Sequence, residues 1–277
     1  MCASNKKFIL TADDFGLLKE LNFAVLEGVR DGILTSTCVC ANGEFYTHAM
    51  KEILPKINEV DLGVHLNIIE GKGLLEHRFL TDKTGNFKHG FISLLINSYR
   101  KEFLKEIEAE FRAQIEQVLK DAKAANVGAN FVNSHVHTHG IPKIFELTAR
   151  LASEYKIPSV RLQAEKFYRA NRPPKLVNIV KVVLLNYFSI INRAMVKKYN
   201  LKCNDYILGI SYTGEMNKDT ILKGLFSLSH FENITVEALL HPTNTEQSAS
   251  YGEYLTIVDP NLKQKVNNLG FEFARFD

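Results

Sequence analysis

Short apolar runs of strand length alternate with longer amphipathic segments along most of this 277-residue chain. Runs rich in β-branched and small apolar residues indicate strands, and apolar positions repeating every three to four residues indicate helices. The predicted strands cover residues 8–10, 33–41, 62–67, 130–134, 158–162, 206–211, 233–240 and 271–276. The predicted helices cover residues 17–30, 45–54, 101–125, 141–156, 176–199, 218–230 and 259–268. This alternation predicts an α/β fold with a parallel sheet or barrel.

The helix predicted over 101–125 has the clearest pattern. Its apolar stripe consists of Leu104, Ile107, Phe111, Ile115, Val118 and Leu119, and glutamates and lysines cover the other side. The glycine-dotted segment 71–90 has no sustained period and is predicted to be a long loop over one face of the domain. The pattern also loosens over 164–204, which we interpret as a helical insertion. Its apolar part, 176–199, suits a cap or a homodimer contact.

Composition narrows the class of protein. Hydrophobic residues make up 45% of the chain, which is enough for one large domain or two small ones. Because the pattern shows no linker between separate domains, we expect one domain spanning residues 1–277. A net charge of +3 with dispersed lysines and arginines gives no reason to expect nucleic acid or a membrane surface as a partner. The apolar stretch 177–191 is expected to be too short and too polar to span a bilayer. With no apolar leader at the N-terminus, we expect a cytoplasmic protein whose cysteines are reduced and buried, namely Cys2, Cys38, Cys40 and Cys203.

Polar residues suited to catalysis stand at the C-terminal ends of several predicted strands. They are Asp13, Asp14, His65, His135, Arg161 and His241. The C-terminal ends of barrel strands meet at one rim, so residues distant in sequence can be neighbours there. Each residue alone has an ordinary explanation: a turn or helix cap for the aspartates, a satisfied core residue for His65, a surface ion pair for Arg161 and turn geometry for His241.

The alternating histidines His135, His137 and His139 change that assessment. On an extended chain they would share one side, and near a turn they would fan around a pocket. Three titratable groups within five residues are costly to bury without a purpose. Two histidines with one carboxylate form a ligand set for a catalytic divalent metal that leaves room for water. We therefore favour a metal or active site here.

Five short motifs resemble the YdjC-like carbohydrate deacetylase family, which includes chitooligosaccharide deacetylases. They are Thr-Ala-Asp-Asp-Phe-Gly-Leu at 11–17, Gly-Ile-Leu-Thr-Ser-Thr at 32–37, Gly-Val-His-Leu-Asn at 63–67, Asn-Ser-His-Val-His-Thr-His at 133–139 and His-Pro at 241–242. They occur in family order and spread over nearly the whole chain. The resemblance implies a distorted, TIM-like (β/α) barrel with mostly parallel strands. It also implies a divalent metal held by one Asp and two His.

Carried over by position, the resemblance assigns a role to each motif residue. The metal ligands would be Asp14, His65 and His135. Asp13 would be the general base, held by Arg161, and His241 would be the general acid. His137 and His139 would line the substrate pocket or support it. The family's usual metal is assigned as magnesium, whereas a histidine-rich ligand set suits zinc better. The expected reaction is removal of acetyl groups from N-acetylated, chitooligosaccharide-type sugars.

One departure from the family pattern concerns the residue before Ser134. The family commonly has Asp there, and this chain has Asn133. A carboxylate that would orient a ligand histidine is then replaced by a neutral amide, which bears on metal affinity and rate. Two alternatives therefore stay open: a sugar- or metal-binding protein that has lost catalysis, and a metal-dependent hydrolase of another amide or a phosphoester.

Overall fold

The computed structural model describes residues 5–57 and 59–276, and its centre is a parallel sheet. Within these residues the sheet has eight strands: β1 (Lys7–Phe15), β2 (Ser36–Val39), β3 (Asp61–Leu66), β4 (Ala129–Ser134), β5 (Ser159–Val160), β6 (Tyr206–Leu208), β7 (Thr235–Leu240) and β8 (Glu272–Phe273). The strand order is β5-β4-β3-β2-β1-β7-β6, and β8 pairs with the first residues of β1. All pairs are parallel, as the alternation of strands and helices predicts.

The sheet curls, and hydrogen bonds link its two edge strands. The amide N–H of Ile207, in β6, donates to the carbonyl of Ala164 beyond β5 at 2.8 Å. The side chain of Asn204 accepts from the N–H of Leu162 at 2.7 Å and donates to its carbonyl at 2.8 Å. These contacts partly close a curled half-barrel, so the predicted α/β barrel-like fold is confirmed.

Helices cover the outside of the sheet. Their bounds are α1 (Lys19–Arg30), α2 (Tyr46–His48), α3 (Phe91–Asn97), α4 (Lys101–Ala124), α5 (Pro142–Glu154), α6 (Leu176–Lys198), α7 (Lys218–Leu228), α8 (Tyr251–Ile257) and α9 (Leu262–Asn268). The chain continues from α2 through a π-helical turn, Ala49–Ile53, and a 3₁₀ turn, Leu54–Lys56. The sequence pattern did not predict the seven-residue helices α3 and α8, whereas α9, of the same length, lies within the predicted helix 259–268.

The long helix α4 carries two polar residues on its buried side. Glu110 and Gln114 are both fully buried, contrary to the prediction that glutamates only cover its exposed side. Glu110 accepts hydrogen bonds from the N–H groups of Leu74 and Leu75 at 2.9 and 3.1 Å, and Gln114 bonds both backbone groups of Asn67. Glu110 therefore fastens the predicted loop 71–90 to the helix, and Gln114 holds the chain where it leaves β3, which explains why both are buried.

The apolar helix α6 packs on the domain through one face only. The helix has 23 residues, and an 18-residue segment of it has a mean hydropathy of 1.5 and is 33% buried. By length and composition alone it could cross a membrane. The prediction that this stretch is too short and too polar for a span was therefore wrong, because the helix extends to Lys198. A single helix of this kind is weak evidence of a span, and the absence of a membrane partner stays a prediction.

The cysteines agree with the sequence prediction in part. Cys38 and Cys40 are buried free thiols, as predicted, whereas the free thiol of Cys203 is only half-buried. Cys2 lies outside the described residues.

Candidate active site

The neighbouring carboxylates Asp13 and Asp14 close strand β1 and point to different partners. Asp14 has a φ of +66°, a left-handed conformation that Asp tolerates better than most residues. Its carbonyl accepts the N–H of Leu17 at 3.0 Å, which forms the turn out of the strand. Because of this backbone kink, the two acidic side chains serve separate contacts although they are adjacent in sequence.

Asp14 brings together two histidines from neighbouring strands. Its Oδ1 lies 2.7 Å from Nδ1 of His135 and 3.1 Å from Nε2 of His65. One ligand atom from each of these three residues lies within 4.8 Å of the others. The structure therefore brings together the three residues that the family resemblance assigned as metal ligands.

A strained turn after β4 presents the histidine triplet. Val136 and His137 have φ values of +52° and +58°, which is unfavourable for a β-branched residue such as valine. The hydroxyl of Ser134 stabilises the turn by accepting the N–H of His139 at 2.8 Å and contacting Nδ1 of the same ring at 2.6 Å. Strain held in place by hydrogen bonds at a cluster of titratable groups is typical of a functional site.

Asn133 lies behind the candidate ligand His65. One atom of its side-chain amide is 2.6 Å from Nδ1 of His65 and the other faces the two Nη atoms of Arg161, so the neighbours satisfy both amide atoms best when the oxygen faces Arg161. With its oxygen accepting from Nδ1–H, Nε2 of His65 keeps a lone pair facing Asp14. In the other orientation the amide donates to Nδ1, and its oxygen accepts from both Nη atoms of Arg161 at 2.8 and 2.9 Å. Only the first orientation suits metal ligation, and a carboxylate here could serve both partners at once.

The fully buried Arg161 joins Asp13 to a second carboxylate. Its Nη1 and Nη2 donate to the two oxygens of Asp13 at 2.6 and 2.7 Å. On the other side, Nε donates to both oxygens of Glu237 at 3.0 and 2.9 Å, and Nη2 donates to Oε1 at 2.6 Å. Glu237 was missed at the sequence level, although an acidic residue inside an otherwise apolar strand was an available signal.

The charges around Arg161 set the proton affinities of both carboxylates. Burial alone would raise the pKa of Asp13, but the charge and hydrogen bonds of Arg161, with smaller contributions from His65, hold it well below its usual range. Burial raises the pKa of Glu237, and the guanidinium only partly offsets that increase. Asp13 is therefore ionised at neutral pH, as a general base must be.

His135 lies between two carboxylates. Its Nδ1 faces Asp14, and its Nε2 lies 3.0 Å from Oε2 of Glu70, a largely exposed residue that the sequence did not single out. Burial would lower the pKa of His135, but the hydrogen bonds and charges of Asp14 and Glu70 outweigh it and raise the pKa to about 9. A metal ion that binds Nδ1 must displace this proton, so binding releases protons.

The remaining predicted site residues lie at different depths. His241 follows β7 and has Nε2 4.0 Å from Oδ2 of Asp14, with its backbone N–H donating to Glu253 at 2.6 Å. Burial and the charge of Arg161 lower the pKa of His137 to about 3. His139 is fully buried, where Nε2 contacts the carbonyl of Arg161 at 3.1 Å, and burial lowers its pKa well below the usual value.

A cavity of about 630 Å³ opens above these groups. Its polar floor consists of Asp13, Asp14, His65, Ser134, His135, His137 and His241. His139 and Arg161 lie behind this floor and do not line the cavity. The floor therefore contains the predicted ligands, base and acid, whereas His139 supports it from below.

The donor set on the cavity floor fits a divalent cation. Nε2 of His65 is buried and has no hydrogen-bond partner among residues 5–57 and 59–276, although it faces a carboxylate. Two imidazole nitrogens and one carboxylate oxygen are ligands that zinc accepts. A second group, Asp13, Cys38 and His65, is also close enough to bind a metal. It fits less well, because burial and the charge of Asp13 raise the pKa of the Cys38 thiol well above its usual value and metals bind the thiolate.

The fold and site together define an α/β barrel-like protein with a candidate metal centre at the C-terminal ends of its strands. A family model described as YdjC-like protein matches residues 7–268, so this chain belongs to the YdjC-like family. It is similar to a protein named carbohydrate deacetylase from Clostridium beijerinckii, with 31% identity over 159 residues, covering 57% of this chain and 61% of the relative. Another protein of that name, from Thermoanaerobacter pseudethanolicus, is 31% identical over 172 residues, covering 60% of this chain and 65% of the relative.

The aligned region spans about three-fifths of these relatives' own length. Among solved structures, one from Enterococcus faecalis V583, provisionally described as a cellobiose-phosphate cleavage protein, has a TM-score of 0.74. It covers 99% of this chain and 98% of its own at 22% identity. An uncharacterised protein from Agrobacterium tumefaciens has a TM-score of 0.50 at 11% identity, covering 98% of this chain and 88% of its own. These structures support the fold and leave the reaction to be argued from the site.

Proposed function

We propose that this chain is a metal-dependent hydrolase that removes the acetyl group from an N-acetylated sugar of the chitooligosaccharide type. The observation that carries the proposal is the convergence of Asp14, His65 and His135 on one point of the cavity floor, beside an aspartate held by arginine. The relatives named carbohydrate deacetylase support the substrate class.

Three atoms would hold the metal ion: a carboxylate oxygen of Asp14, Nε2 of His65 and Nδ1 of His135. A divalent ion held there supplies a Lewis acid for the acetyl carbonyl and lowers the pKa of water. The two nitrogen ligands favour zinc, and the family assignment favours magnesium. Glu70 orients His135 by accepting from its Nε2, which leaves Nδ1 facing the cavity.

Asp13 is suited to take the proton of the attacking water. Its two oxygens are fixed by Arg161, and it lines the cavity beside the metal ligands. A guanidinium bound so closely makes a carboxylate a weak base, because it stabilises the ionised form. Glu237 shares the same guanidinium and offsets part of its charge, which limits how far the pKa of Asp13 falls.

His241 is placed to give a proton to the leaving amine. It lines the cavity, and its backbone N–H donates to Oε2 of Glu253 at 2.6 Å. The same oxygen lies 3.8 Å from Nδ1 of the His241 ring. Protonated histidine is an efficient general acid near neutral pH. His137 also lines the cavity, and its buried Nδ1 lacks a partner among the described residues, so it is available to bind a substrate hydroxyl or carbonyl group.

Acetate release from N-acetylglucosamine oligomers, measured with and without a chelator, tests this proposal. Acetate should appear, stop when the chelator is added and return with Zn²⁺ or Mg²⁺. The Asp13→Asn variant should lose at least about a hundredfold in kcat, the usual contribution of a general base. Asp31→Asn, an exposed aspartate at the end of α1, is the matched control and should keep full activity. If Asp13→Asn keeps full activity, Asp13 is not the general base. If the chelator does not reduce activity, the reaction does not depend on a metal.

A further inference from the structure

The wall of the active-site cavity is mainly apolar where the floor is polar. Five large apolar side chains from two helices line it: Phe91 and Ile92 of α3, and Val177, Val180 and Leu184 of α6. A sugar has a hydroxyl group on nearly every carbon, and each one that leaves water without a new partner costs free energy. The polar floor can bind the acetylated end of a sugar, and the lining also includes Lys181, Thr213 and Ser250, but the five apolar side chains cannot replace water around sugar hydroxyl groups.

The wall continues onto an exposed apolar surface. Ile92 and Val180 are 60% and 63% exposed, and further along the same helices Ile96 and Tyr187 are 66% and 61% exposed. Helices on the surface of a soluble domain normally direct polar residues outwards. Extended exposed apolar surface of this kind marks a binding site in folded proteins.

Helix α6 packs on the domain through apolar residues together with buried asparagines, and its outer side over 176–191 is mainly apolar. Asn178 donates to the carbonyl of Ser211 at 3.0 Å, and Asn192 donates to that of Gly140 at 2.8 Å. On the outer side, Leu176 and Ile190 are 78% and 74% exposed. Because asparagines fix the helix to the domain, its outer aliphatic side chains are not needed for that packing and are available to a ligand.

We infer that the sugar taken by this site carries an apolar alkyl or acyl chain, which lies against the wall formed by α3 and α6. This inference rests on the proposed deacetylation and adds the class of substrate. The substrate is the one occupant that must contact both the polar floor and the apolar wall, since both belong to a single cavity. A volume of about 630 Å³ is in the range of sites that bind ligands larger than one sugar ring.

The test compares the methyl and octyl β-glycosides of N-acetylglucosamine, both below the concentration at which the octyl compound forms micelles. Burying one methylene improves binding roughly fourfold, so even a partly buried octyl chain should raise kcat/KM at least about tenfold over the methyl glycoside. In the double variant Ile92→Thr/Val180→Thr, the second change keeps the shape of the side chain, and the first keeps its β-branch and removes its terminal methyl group. The variant should lose most of the octyl advantage over the methyl glycoside.

Val183→Thr is the matched control, because Val183 has the same residue type and helix, is 56% exposed and does not line the cavity. It should behave as the unmodified protein. Equal kcat/KM for the two glycosides would overturn the inference and leave deacetylation intact. If neither glycoside releases acetate, deacetylation fails, and calorimetric binding of the same two compounds then decides the inference by the same tenfold criterion.

Sedimentation at the assay concentration identifies the other occupant of this surface. A dimer that loses affinity in the double variant, together with equal rates for the two glycosides, would assign the apolar wall to a second copy of the chain and overturn the inference. A monomer with the octyl preference supports it.

Discussion

Replacing Glu237 by glutamine removes one negative charge from the buried group around Arg161 and nearly preserves its shape. Both carboxylates bind the same Nη2, at 2.7 Å for Asp13 and 2.6 Å for Glu237, so their oxygens are at most about 5.3 Å apart. With an effective dielectric constant near 20, two charges at that distance repel by about 3 kcal/mol, which corresponds to roughly two pKa units. The Glu237→Gln change should therefore lower the pKa of Asp13 further and weaken it as a base.

The assay is the pH profile of kcat/KM for acetate release, with the metal content of each preparation measured. In Glu237→Gln, the acidic limb should move to lower pH and the plateau should fall roughly tenfold to a hundredfold, within the range of general-base effects. Thr11→Val is the control: its hydroxyl donates to Oε1 of Glu237 at 2.8 Å, so the variant removes one hydrogen bond and no charge. The reasoning is refuted if Glu237→Gln binds metal normally and keeps both the limb and the plateau.

Three further predictions address the metal, the buried histidine and the loop. Asn133→Asp should tighten metal binding roughly tenfold to a hundredfold, because a carboxylate can accept from His65 and Arg161 together; unchanged affinity in a metal titration would contradict this. Burial lowers the pKa of His139 in the fold, so its neutral form stabilises the protein above pH 6.5. That stability is lost as the pH falls, by roughly 1 kcal/mol for the first pH unit below that value. In urea unfolding at pH 7.5 and 5.5, His139→Asn should show a smaller pH difference than the unmodified protein, and an equal difference would refute the assignment. Glu110→Gln should speed amide hydrogen exchange within residues 71–90, because it weakens the acceptor of two loop N–H groups. Glu116→Gln, on the same helix, is the control and should leave the exchange unchanged. Equal exchange rates in the two variants would refute the role of Glu110.

The positions of the candidate metal ligands could be predicted because they depend on strand ends. Asp14, His65 and His135 each follow an apolar run, and a parallel barrel brings such ends to one rim. The alternation of strands and long helices along the chain followed from the same periodic pattern. The short helix α3 escaped prediction, because its residues are mostly apolar and show no helical period.

The roles of Glu237, Glu70 and Glu110 could not be predicted, because each depends on a partner distant in sequence. Glu237 and Arg161 are 76 residues apart, and Glu70 and His135 are 65 residues apart. Each pair meets only after the sheet has formed, so no local pattern records it. The exposed apolar side of α6 was hidden for a similar reason: a helix that is apolar on most sides does not show which face will be buried.

The presence and position of one divalent ion test the central claim most directly. Elemental analysis of the purified protein, followed by an anomalous-scattering map, should give about one metal per chain. The peak should lie about 2.0–2.2 Å from a carboxylate oxygen of Asp14, Nε2 of His65 and Nδ1 of His135, as is usual for zinc bound by oxygen and nitrogen. A protein that binds no metal at saturating Zn²⁺ or Mg²⁺, or a peak beside Cys38 and Asp13 instead, would contradict the account.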